Sequence, residues 1–129
     1  MMTQPRPPST PRDTTRQLLV TTPAPLAPHA VVTTFTAKLG DIHLRLQYVP
    51  DRVLLTAAGF EAYVAARAGI QSESLEALCA LIADDVANEL VPKWSRVTLT
   101  CGGNITQSVV AEDRQPGWSH PTLLSGLAP

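Results

Sequence analysis

The chain has 129 residues, 44% of them hydrophobic and 5% aromatic, with a formal net charge of −1. That length suits one domain plus a tail, with a modest core built mainly from aliphatic side chains. Scattered Lys and Arg argue against nucleic acid or a membrane surface as partner, and no apolar run approaches the ~20 residues of a membrane span. The N-terminus lacks the charged-then-apolar layout of a secretory signal. Two cysteines, Cys79 and Cys101, make no disulfide framework and no Cys-x-x-Cys pair, so a reducing, cytoplasmic setting is expected.

Residues 1–29 carry Pro5, Pro7, Pro8, Pro11, Pro23, Pro25 and Pro28 among Thr and Ser. Proline donates no backbone N–H, so this stretch reads as a flexible arm. Within it Leu18-Leu19-Val20 could add an edge strand or dock on a neighbour. A folded domain is expected over residues 30–113 and an irregular tail over 114–129. β-branched residues from Val31 to Ala37 predict a strand. After a turn at Leu39-Gly40-Asp41, Ile42, Leu44, Leu46 and Tyr48 alternate with His43, Arg45 and Gln47, which predicts a second strand with one buried and one polar face. The two should form an antiparallel hairpin.

Alanine-rich residues 56–67 predict a helix that stops at Gly69. Ser72 is a candidate N-cap for the next helix, with Glu73 in its first turn. Leu75, Leu78, Cys79, Ile82, Val86 and Leu90 form one apolar stripe along that helix, with Asp84, Asp85 and Asn88 facing away, and Pro92 closes it. Val97 and Leu99 should point to the core from a third strand. Gly102-Gly103-Asn104 reads as a hairpin turn, and residues 105–111 as the returning strand. The expected class is α+β, a ββααββ antiparallel sheet with two helices on one face.

Four stretches in this order carry a family resemblance: Tyr48-Val49-Pro50-Asp51; Phe60 with Tyr63; Ile82-Ala83-Asp84-Asp85-Val86 followed by Pro92-Lys93-Trp94; and Gly102-Gly103-Asn104-Ile105. Over roughly residues 31–110 the chain resembles the tunnelling-fold (T-fold) superfamily and, within it, the 7-cyano-7-deazaguanine reductases, the nitrile reductases of queuosine biosynthesis. The resemblance implies edge-to-edge assembly of a homo-oligomeric ring in which the sheets close into a barrel. The polar face of His43, Arg45 and Gln47 would suit its wet lumen, and an open sheet edge invites such pairing.

The resemblance also implies roles for individual residues. Glu76 falls where the family keeps its substrate-anchoring glutamate, and Leu75 takes the place of the preceding histidine. A carboxylate matches the ring N–H and exocyclic amine of a purine, deazapurine or pterin in a two-bond fork. Asp41 lies one residue out of register with the family's proton-donating aspartate. The catalytic cysteine segment is missing, since Phe35 to Asp41 is a shorter link without cysteine. The motif that helps hold NADPH would fall on Thr56, Ala58 and Gly59, its following lysine on Glu61, and the arginine before the double glycine on Cys101. The expectation is therefore a protein that binds the heterocycle without Cys-dependent nitrile reduction, with NADPH used only if reductase activity survives. The alternatives are an enzyme of altered chemistry, a scaffold with a vestigial pocket, or an unrelated ββααββ interaction domain. Cys79 reads as inert core, and Cys101 as structural. His29, His43 and His120 do not stand at zinc-ligand spacing with them, so no metal is expected.

Overall fold

A computed structural model describes residues 14–25, 29–68 and 74–127. Its centre is an antiparallel sheet of four strands, β2 (Thr33–Leu39), β3 (Ile42–Val49), β5 (Trp94–Cys101) and β6 (Gln107–Arg114), in the order β2-β3-β5-β6. A second, two-stranded sheet pairs β1 (Thr21–Pro23) with β4 (Val53–Leu55). Helices α1 (Ala57–Ala68) and α2 (Leu75–Leu90) join the two hairpins, and a short α3 (Pro121–Ser125) follows β6.

The period-two pattern of β3 sets the layering. Leu44, Leu46 and Tyr48 are buried and meet Leu99, Val97 and Ser95 across the β3–β5 ladder. Phe60 and Val64 of α1 and Leu78, Cys79, Ile82, Val86 and Leu90 of α2 close over that face. The Phe35 and Phe60 rings lie 4.9 Å apart, tying β2 to α1. The β2–β3 hairpin turns through Gly40 at φ +60, a left-handed conformation that glycine adopts without Cβ strain. Tyr48 accepts a 2.9 Å hydrogen bond from the Leu55 N–H through its buried hydroxyl, which folds the chain back across Pro50-Asp51.

Several expectations change. The segment around Leu18-Leu19-Val20 docks on its own domain. A 3-10 turn at Thr15–Leu18 leads into β1, Leu19 is buried in the core, and Arg16 lies 3.5 Å from Glu89 of α2. Gly59 makes this possible, because a Cβ there would lie 2.6 Å from the Val20 nitrogen. The expected stop at Gly69, cap at Ser72 and first-turn Glu73 lie outside the described residues. Ser74 caps α2, accepting a 3.0 Å bond from the Ala77 N–H. β6 starts at Gln107 and not at Ile105, since a longer loop leaves Ile105 exposed.

Asp85 does not face away. It is 4% exposed and accepts 2.5 Å hydrogen bonds from both the Tyr63 hydroxyl and Arg67 on α1. Arg67 Nε also donates to the Tyr63 oxygen at 3.2 Å. The polar face of the sheet is divided as well. His43 is exposed, but Gln47 is buried, as are Trp94 and Val49 on the same side. Arg96 lies 5.2 Å from the centre of the Trp94 ring and pairs with Glu112, which Arg114 also holds. Partial burial pushes the Glu112 carboxyl up, and the two guanidiniums outweigh it and hold it below the usual range.

Candidate functional site

Ser74 ends its extended backbone at the cap, so Glu76 stands in the first turn of α2, where the helix dipole favours a carboxylate. The side chain is exposed, and Gln107 Nε2 donates to its Oε2 at 3.3 Å. Leu75 packs against the edge of the core. The ladder register then decides what lies near Glu76. Gln107 pairs with Cys101, and Cys101 with Ile42, the residue that follows Asp41 in the β2–β3 turn. Cys101 and Gln107 share the helix-covered side of the sheet with Val97, Leu99 and Val109.

One end of the molecule thus gathers Glu76, Gln107, half-buried Cys101 and exposed Asp41. Asp41 is two strands away from Gln107, roughly 10 Å at ordinary strand spacing. Gln107 was not singled out in the sequence. Its signal is the hairpin register, which becomes visible only when the loop length is known. Cys79 is elsewhere, fully buried, with its thiol donating to the Val97 and Val109 carbonyls. Burial pushes that thiol up, which makes it a poor nucleophile.

No protein-family model matches the chain. Curated proteins do. The chain is 33% identical over 82 residues to an NADPH-dependent 7-cyano-7-deazaguanine reductase of Syntrophus aciditrophicus (strain SB), covering 60% of this chain and 56% of that protein. It is 32% identical over 83 residues to the protein of the same name from Nitrosococcus oceani, covering 63% of this chain and 64% of the relative. The chain is similar to two reductases. It spans 56% and 64% of their lengths.

These relatives are named for NADPH, and the resemblance assigns its binding to Thr56, Ala58, Gly59 and Glu61. The Thr56 hydroxyl accepts the Gly59 N–H at 3.0 Å and donates to the Val20 carbonyl at 3.0 Å. Ala58 brings a methyl group and Gly59 no side chain. Residues 18–20 lie directly over Gly59, and Glu61 adds a negative charge. A dinucleotide phosphate is held best by cations, and none of these positions supplies one, while Glu61 opposes the charge. They do not fit NADPH.

The outer face of the sheet holds a concavity of about 450 Å³ lined by Thr36, His43, Arg45, Thr98, Thr100 and Ser108 among others. A second concavity of about 780 Å³ lies at the opposite end of the sheet from Glu76. Neither is lined by Glu76, Leu75 or Asp41. Among the described residues no group of three or more His, Cys, Asp or Glu is placed to hold a metal, and no helix is long and apolar enough to cross a membrane.

Proposed function

We propose that this chain is a cytoplasmic T-fold protein that assembles into a ring and binds a purine, deazapurine or pterin at a subunit boundary, without Cys-dependent nitrile reduction. The observation that carries the reading is the state of Glu76. In a chain similar to 7-cyano-7-deazaguanine reductases, an exposed carboxylate stands at the head of α2, its one hydrogen bond among the described residues a long one to the Gln107 amide.

Glu76 offers two acceptors to a ring N–H and an exocyclic amine. Gln107, moving off Glu76, adds an amide donor and acceptor beside them. A partner subunit closes the other side of the heterocycle. Assembly is supported by β2 and β6, which end the four-stranded sheet with no further strand on them among the described residues. Asp41 stands on the same end as a proton donor toward the ring. Leu75 backs the site.

The competing reading is a ring-forming scaffold with a vestigial pocket, and it draws on the absence of Glu76 from both concavities. Calorimetry with guanine, 7-deazaguanine and pterin separates the two, since the scaffold gives no heat with any of them. Consumption of NADPH with the nitrile substrate measures the remaining claim. Steady turnover refutes it.

A further inference from the structure

The larger concavity lies at the far end of the sheet from Glu76. Gln107 and Cys101 mark one end of the ladder and Val49 and Trp94 the other, seven residues along, or roughly 23 Å at strand rise. Its volume of about 780 Å³ is in the range of small-molecule sites. Its lining includes Pro50, Asp51, Lys93, Trp118, His29 and His120.

Three features point to one class of ligand. Lys93 is half-buried, and its ammonium has no anionic partner among the described residues. Asp51, the one carboxylate on the described lining, already accepts the Gln115 amide at 2.9 Å. His120 accepts the Leu123 N–H at Nδ1, so a neutral imidazole carries its proton on Nε2 and offers a donor. Trp118 supplies a half-buried indole, its ring 6.5 Å from that of His120.

The wall is held by the main chain. Lys93 N–H donates to Val49, Gln115 N–H to Lys93, and Trp118 N–H to Gln115. The backbone that carries Lys93 and Trp118 is thereby fixed along the cavity wall. Lysine and histidine suit a phosphate, and an indole suits a flat base.

We propose that this cavity binds a nucleoside monophosphate, with Lys93 and His120 on the phosphate and Trp118 stacked on the base. The site is independent of Glu76. The test is calorimetry of the full chain with AMP, adenosine and inorganic phosphate, using wild type, Lys93→Met, Trp118→Ala and Glu76→Gln, each checked for folding by circular dichroism. AMP should bind with a Kd below about 100 μM, and adenosine or phosphate alone roughly tenfold more weakly. Lys93→Met and Trp118→Ala should each weaken AMP at least about fivefold, with Glu76→Gln unchanged. The proposal is overturned by no heat at millimolar AMP, by phosphate binding as tightly as AMP, or by wild-type affinity in folded Lys93→Met. Loss of AMP binding in Glu76→Gln would place the nucleotide at the other site and overturn it equally.

Discussion

At the scale of single residues, two backbone positions set sharp expectations. Gly59 lets the Leu18–Val20 backbone approach α1, and a methyl group there would fall within 3.0 Å of three atoms, two of them backbone. Gly59→Ala should cost about 1–3 kcal/mol and detach the N-terminal segment, read as a lowered denaturant midpoint and faster amide exchange at Thr56. Val91 ends α2 at φ +42, a left-handed conformation that a β-branched residue adopts at a cost, and it is 58% exposed. Val91→Gly should therefore raise stability by up to about 1 kcal/mol in the same titration. The sequence made Glu76 visible only through its position relative to a resembled family, since a glutamate in a first helical turn is commonplace. It could not show Gln107 beside it, because that contact depends on the register across a loop whose length the Gly-Gly-Asn signal understated.

At the scale of elements, the buried group joining α1 to α2 matters most. Arg67 is 2% exposed and Asp85 4%, so removing one charge strands the other in a dry interior. Asp85→Ala should cost about 3–5 kcal/mol, whereas the double change Arg67→Met with Asp85→Leu should recover most of that loss, as thermal melts would show. Burial, and then the bond to Asp85, push the Tyr63 phenol above the ordinary tyrosine range. A folded-state value above the unfolded one gives stability that is complete below about pH 10 and is lost as pH rises through the folded value. Denaturant midpoints of wild type should fall above pH 10 more steeply than those of Tyr63→Phe. Long periodic elements were legible: β3 by its alternation and α2 by its apolar stripe. β1, β4 and α3 are three to five residues long, too short for a period to register. Asp85 lies only about 20° around the helix from Leu78, at the edge of the apolar stripe, and its charge is buried there because Tyr63 and Arg67 of α1 pair with it, which a polar residue type read alone does not show.

For the whole molecule, the described residues leave the four-stranded sheet with two open edges and one end rich in exposed polar groups. The α+β layering was legible in composition and spacing. The docked segment at residues 14–25 was not, because its prolines speak against regular structure, while its anchor is a single leucine and a three-residue strand. Ring assembly predicts a mass several times 13.8 kDa by light scattering; a simple dimer would contradict the ring, and a monomer would also remove the subunit boundary on which ligand binding depends. The most direct measurement is calorimetric titration of wild type and Glu76→Gln with 7-deazaguanine, guanine and pterin. Saturable binding of at least one ring by wild type, weakened at least about tenfold in a folded Glu76→Gln variant, is the expected result. Equal affinity in both proteins, or no heat in either, would contradict the account.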